Sequence, residues 1–128
     1  MFLKRKEISI KRMAQKYIKD DIVMYDNRIH TIIDTLGLNN YELSYVRHPV
    51  NQAELSGFPL THEILEKNGW EHKDDVYFKE YPHRKLVIMD ENVYIINECC
   101  SMFLCPAKFV SQLQHLFFGL GLNSEMEV

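Results

Sequence analysis

Cys99, Cys100 and Cys105 lie within seven residues of one another, and His115 follows ten residues later. Thiolates and an imidazole are the ligand types of structural zinc. Such sites usually pair their ligands as C-x2–4-C and H-x3–5-H, a spacing absent here. Two adjacent cysteines on a strand point to opposite faces and cannot both reach one ion. The reading adopted is burial as small hydrophobes, with the thiols reduced, because an odd and clustered count makes a poor disulfide framework.

A second cluster is the stretch "SQLQH". Ser111, Gln112, Gln114 and His115 crowd around Leu113. Hydroxyl, amide and imidazole groups suit nucleophilic or acid–base chemistry if they converge. The apolar residues Phe109, Leu113, Leu116, Phe117 and Leu120 instead define a helical stripe. It places the polar four on the flanks and outer face, where they cannot meet at one reacting atom. The six histidines are scattered, and neighbours such as His62 and Glu63 do not face each other on a helix. A histidine–carboxylate pair assembled by the fold stays open. No Gly-rich phosphate loop, nucleophile elbow or catalytic-cysteine signature is present. The expectation is a non-enzyme with no cofactor and no metal. If the chain were an enzyme acting on nucleotide or RNA, His83 and His115 would be the residues to replace.

Charge points to partners. Residues 1–19 hold seven basic side chains (Lys4, Arg5, Lys6, Lys11, Arg12, Lys16 and Lys19) against Glu7, a balance of +6. Residues 20–128 carry −9, so the net −3 hides a basic head on an acidic body. Long-range potential steers association, and such a head suits phosphates or an acidic protein surface. The plain alternative is a solubilising helix face that pairs with its own body. Tyr17, Tyr25, Arg28, His30, Tyr41, Tyr45, Arg47 and His48 add aromatic and basic groups of the kind that stack and pair with single-stranded nucleic acid. Some of these aromatics must serve as core. The acidic body disfavours a long duplex, so a short RNA contact or a protein partner fits better.

The elements follow from periodicity. Ile10, Met13, Ala14, Tyr17 and Ile18 predict a basic amphipathic helix within residues 1–19. Ile22–Tyr25 and Ile29–Asp34 read as a hairpin around Asp26-Asn27-Arg28. Tyr41–Val46 reads as a third strand, with Tyr41, Leu43 and Tyr45 on one face. These strands predict a small antiparallel sheet that could close as an SH3-like barrel. Residues 47–57 are aperiodic and read as a loop. Thr61 as N-cap, Glu63 in the first turn, a Leu60–Leu65 staple and Asn68-Gly69 as stop predict a two-turn middle helix. "EHKDD" reads as a turn. Val76–Tyr81, Leu86–Met89, Val93–Asn97 and Ser101–Leu104 then read as a β-meander. A C-terminal helix packed on the sheet is predicted from about Pro106, at a first helical position, to Phe118. "SEMEV" is left as an exposed tail or an edge strand. At 128 residues and 46% apolar content, the expectation is one α+β domain over 20–128 behind the basic helix. No membrane span and no secretory signal are expected, which predicts a cytoplasmic protein.

Three stretches resemble a family of small uncharacterised proteins found in Bacteroidota phages, prophages and mobile elements. "GFPLTHEILEKNGW" (57–70) is similar to the family's "PIPLTEEILLKNGF" segment. "FVSQLQHLFFGLGLNSEMEV" is similar to its "YVHQLQHLYFALTGEEL" ending, and "DIVMYDNRIHTI" takes the place of its "LRIGNLVYDNN" opening. The resemblance spans roughly residues 20 to 128. It departs at the basic head, at Ser111 where the family has His, and at the cysteines. It implies a phage-type protein, cytoplasmic in its bacterial host, and carries over no catalytic residue. Together with the charge pattern it leads to a binding protein of the anti-CRISPR kind as the expectation. Such a protein would inhibit a host nucleic-acid-targeting defence nuclease through the effector or its guide RNA. Its contacts would be Lys4, Arg5, Lys6, Lys11, Arg12, Lys16, Lys19 and Arg28. A small phage module that forms homo-oligomers is the alternative.

Overall fold

In the computed structural model, which describes residues 15–128, paired left-handed turns set the strand order. Asp26 and Asn27 adopt φ values of 50° and 61°, Asp74 and Asp75 52° and 63°, and Asp90 and Glu91 50° and 61°. Two consecutive left-handed residues form the tight turn whose twist matches that of the flanking strands, and Asp and Asn tolerate that conformation better than most residues. Each pair therefore closes a hairpin. The architecture is α+β, with antiparallel strands in two sheets and two α-helices among the described residues. The chain forms two compact units, divided between Gly57 and Phe58.

In the first unit, β1 (Ile22–Tyr25), β2 (Arg28–Thr35), β3 (Asn40–Leu43) and β4 (Val50–Asn51) follow one another as a meander, and β5 (Ser56–Gly57) returns to pair with β1. The supposed loop 47–57 thus contains β4, β5 and a 3-10 turn over Gln52–Glu54. Asn51 Oδ1 accepts from the Ala53 N–H (2.9 Å), and the Asn51 N–H donates to Glu54 (3.1 Å). This reciprocal cap holds the turn without hydrophobic periodicity. The core is Tyr17, Val23, Ile32, Tyr41, Leu43, Val50 and Leu55.

Tyr17 corrects the expected N-terminal helix over the part that lies among the described residues. Residues 15–18 are not helical, and 19–20 form a turn. The Tyr17 ring is 1% exposed and sits edge-on to Tyr41. Its N–H donates to the Tyr41 hydroxyl (3.3 Å), while the Lys16 N–H donates to Gln52 Oε1 (2.9 Å). These side chains take backbone donors that a helix would have used internally, and core burial overrides the helical spacing.

The second unit begins with α1 (His62–Lys67), followed by β6 (Glu71–Lys73), β7 (Val76–Tyr81), β8 (Arg84–Met89), β9 (Asn92–Ile96) and β10 (Ser101–Pro106), and closes with α2 (Val110–Gly119). The five strands form an antiparallel meander in sequence order. Part of "EHKDD" is therefore strand, because the turn is confined to Asp74-Asp75. Thr61 caps α1 through the Ile64 N–H (3.3 Å), and Gly69, at φ 84°, ends it. Leu86 and Ile88 of β8 and Val93 of β9 pack against Leu65 of α1 and Leu113 and Phe117 of α2. Trp70 stacks on Phe117 at 6.3 Å.

Two expectations about the last helix are corrected. Pro106 ends β10, opposite Asn92, and α2 starts at Val110. Gln112 Oε1 accepts from the N–H groups of Lys108 (2.7 Å) and Phe109 (2.9 Å), a cap supplied three residues inside the helix. The buried face runs through Val110, Leu113, Gln114 and Phe117, an i, i+3, i+4, i+7 stripe rotated from the expected one. Ser111 and Gln114 are consequently buried instead of lying on the flanks and outer face.

Candidate functional site

The β1–β2 hairpin brings together the best-supported of the sequence candidates. Tyr25, the last residue of β1, pairs with Arg28, the first of β2, so both stand at the tip of the hairpin. His30, two residues on, turns its ring to Tyr25 (5.8 Å between centroids), and His48 meets the same ring from another direction (6.4 Å). His30 Nδ1 is held 2.8 Å from the Ser44 carbonyl. The Ser44 N–H donates to Thr31 O (3.0 Å), and Ser44 Oγ accepts from the Thr31 N–H (3.0 Å). Segment 44–48 is therefore fastened to the hairpin near both its ends.

Between those fastenings lies Tyr45. The expected strand over 41–46 ends at Leu43, and residues 44 and 45 form a turn. Tyr45 adopts φ 62° and its side chain is fully exposed, at 100%. A bulky residue in the left-handed region is an outlier that needs a reason. Tyr45 is thus lost from the inner face on which Tyr41 and Leu43 stay. Tyr41 is wholly buried and unavailable to a ligand. His30 is buried and Tyr25 is half-buried against the core, so Tyr45 and His48 are the exposed rings here, with Arg28 and Arg47 exposed beside them in the chain.

The other predicted contacts fall elsewhere. Lys4, Arg5, Lys6, Lys11 and Arg12 lie outside the described residues. Lys16 is exposed with its Nζ over the Tyr17 ring (5.6 Å), and Lys19 is exposed in the turn that precedes β1. Burial, reinforced by the phenol of Tyr41 and the carboxylate of Asp21, pushes the Tyr17 hydroxyl above its ordinary pKa. Tyr17 is therefore a neutral core residue and no stacking platform.

The second unit holds an arrangement that sequence reading missed. His62 Nδ1 lies 2.7 Å from the Tyr77 hydroxyl, and His62 Nε2 lies 2.8 Å from Glu66 Oε1. His72 stacks on the Tyr77 ring at 4.5 Å. With Nδ1 accepting from the phenol, Nε2–H donates to the carboxylate, a carboxylate–imidazole–phenol chain at the edge of a small cavity of about 190 Å³. The i, i+4 spacing of His62 and Glu66 was readable on the predicted helix. Tyr77 joins them only through the β6–β7 hairpin, whose turn is legible at Asp74-Asp75 but whose packing beside α1 is not. His83 sits in the β7–β8 turn at φ 65° and His115 on α2, and neither is part of this chain. A second aromatic row, Phe78, Tyr94 and Phe103, crosses the sheet with Val87 between them, and Lys85 stands over Phe78. Glu71 and Glu80 share that face and leave it without a positive bias.

The core burial expected of Cys99 and Cys100 is corrected: both are exposed in the β9–β10 connection, because both N–H groups donate to Asn97 Oδ1 (3.0 Å each) and hold the turn at the surface. Cys105 is half-buried on the helix-facing side, and burial pushes its thiol above the usual pKa. Among the described residues no three His, Cys, Asp or Glu side chains are placed to hold a metal ion, and no helix is long and apolar enough to cross a membrane. Compared with known proteins, the chain matches no family model, no curated protein and no solved structure.

Proposed function

We propose that this is a non-enzymatic, phage-type binding protein that inhibits a host nucleic-acid-targeting defence system, acting like an anti-CRISPR on the effector's guide RNA or on its RNA-facing surface. The contact surface is the first unit: Tyr45, His48 and the half-buried Tyr25 stack on bases, while Arg28 and the basic residues of the head (Lys4, Arg5, Lys6, Lys11, Arg12, Lys16, Lys19) meet phosphates. The observation that carries this reading is Tyr45, a fully exposed aromatic ring held on a left-handed backbone. The return of β5 to β1 after a 3-10 turn supports an SH3-like barrel for this unit, an architecture whose rim loops present such side chains.

The test must respect Tyr17. Deleting residues 1–19 would remove a core side chain, so the head is neutralised by replacing Lys4, Arg5, Lys6, Lys11 and Arg12 with Gln in the full chain. Affinity capture from the host, with and without nuclease, should recover a ribonucleoprotein with the wild type and lose it with the neutralised head or with Tyr45→Ala. Capture that survives both changes would overturn the reading.

One observation favours a second reading. The Glu66–His62–Tyr77 chain has the order of groups that polarises a hydroxyl, which supports an enzyme acting on nucleotide or RNA. Turnover of an RNA or nucleotide substrate that disappears in both His62→Gln and Tyr77→Phe would move the assignment there.

A further inference from the structure

The last residues of the chain, expected as an exposed tail or an edge strand, are neither. From Leu122 to Glu127 half-buried and exposed residues alternate, with Leu122, Ser124 and Met126 turned inward. Leu122 and Met126 pack against the core of the second unit. That period of two is the signature of a strand laid on a surface. Its backbone partner is a side chain. Asn68 Nδ2 donates to the Glu127 carbonyl (2.8 Å), and the Glu127 N–H donates back to Asn68 Oδ1 (2.9 Å). The carboxamide thus stands in for a peptide unit of a neighbouring strand. It is itself fixed, because Nδ2 also donates to the Ile64 carbonyl (2.7 Å) and the Asn68 carbonyl accepts from Lys79 Nζ (2.8 Å).

We propose that this groove is a recognition site for an extended strand, and that it takes segment 122–128 of a second copy of the chain in exchange for the resident one. Three features favour exchange. The seat is open to solvent: a cavity of about 520 Å³, lined by Lys79, Tyr81 and Phe117 with Leu122 and Met126, lies beside the segment. The connection is held by one hydrogen bond from the segment itself, Leu122 N–H to the Phe117 carbonyl (2.8 Å), and open space surrounds Gly119 and Gly121, so exchange has one backbone bond to break there. The occupant already fits, for an exchanged segment makes in trans the same two hydrogen bonds and buries the same two side chains. Identical contacts within and between copies are the condition for swapped dimers, which close with two-fold symmetry. This inference is independent of the RNA reading, because the groove lies wholly in the second unit.

The test uses two full-length variants with complementary defects. Asn68→Ala damages the groove and spares the segment, and Met126→Asp does the reverse. Native mass spectrometry and light scattering follow dimer up to about 1 mM, the effective concentration of a short flexible connection. Wild type should dimerise; each change weakens the resident and the exchanged contact alike, so the mixture, and not either variant alone, is the readout. Mixing the variants should produce a heterodimer, in which the intact segment of one fills the intact groove of the other. A mixture without heterodimer overturns the proposal, as does a wild type that stays monomeric up to that concentration. Circular dichroism and Trp70 fluorescence check folding. Should a variant unfold, a labelled peptide of residues 120–128 titrated into the wild-type chain decides instead: saturable binding supports the site, and none up to about 1 mM removes it.

Discussion

Replacing Tyr45 with Gly should stabilise the protein while weakening its binding. The side chain is 100% exposed, so its removal forfeits no packing. The backbone at φ 62° lies in a region that costs an ordinary L-residue about 1–2 kcal/mol and glycine almost nothing. Glycine loses roughly 0.5–1 kcal/mol more chain entropy on folding. The balance is a gain of about 0.5–1 kcal/mol. With a urea dependence of about 1–3 kcal/mol per molar, the unfolding midpoint should rise by roughly 0.2–1 M. One stacked base is worth about 1–3 kcal/mol, so affinity for a short single-stranded RNA should fall roughly 5- to 150-fold. Tyr45→Ala separates the two effects: it removes the ring but keeps the strain, so binding should fall without the stability gain. Urea melts followed by circular dichroism and fluorescence anisotropy on a labelled RNA read both quantities. A midpoint that drops in Tyr45→Gly would show that the backbone is not strained there. Unchanged anisotropy in both variants would show that the ring is not a contact.

Gln52→Ala should destabilise the first unit by about 1–3 kcal/mol, because Gln52 Oε1 accepts from both the Tyr41 hydroxyl and the Lys16 N–H. Adding Tyr41→Phe should cost less than the sum of the two single changes in urea melts, and strict additivity would refute the coupling. Toward a thiol reagent, exposed Cys99 and Cys100 should react fast and Cys105 slowly, since burial both shields its thiol and raises its pKa; three equal rates would contradict the placement. Burial lowers the pKa of Lys79, so at alkaline pH the unfolded chain binds more protons there and stability should rise with pH. That rise is confined between the lowered folded value and the ordinary value near 10.5, and Lys79→Met should flatten it.

Local rules found the parts of the fold that local chemistry decides. Asp26-Asn27 announced its hairpin, and Thr61 and Asn68-Gly69 bounded α1, because caps and tight turns depend on a few adjacent residues. Decisions made by distant partners were illegible. Tyr17 belongs to a convincing helical stripe, yet Tyr41 and Gln52 claim the backbone around it. Pro106 is a good first residue for a helix and an equally good last residue for an edge strand, where its missing N–H is not needed. Gln114 looks like an outer-face residue until the stripe is rotated to begin at Val110, a change of one residue in helix phase.

The candidate site shows the same division and adds a direction to it. Alternation put Tyr41, Leu43 and Tyr45 on one face, and the structure keeps the first two and expels the third. Ten described residues other than glycine have positive φ; nine of them are Asp, Asn, His or Glu, and the tenth is Tyr45. Turn geometry accounts for the polar nine, which are small or tolerate the left-handed region. It does not account for a tyrosine, which contributes no burial where it stands and strains the backbone that carries it. A residue that breaks both the strand pattern and the turn rule without a folding gain is where function is expected to show. The failure of sequence periodicity at Tyr45 therefore marks the candidate, and only the three-dimensional structure gathers Tyr25, His30 and His48 at the hairpin to which segment 44–48 is fastened.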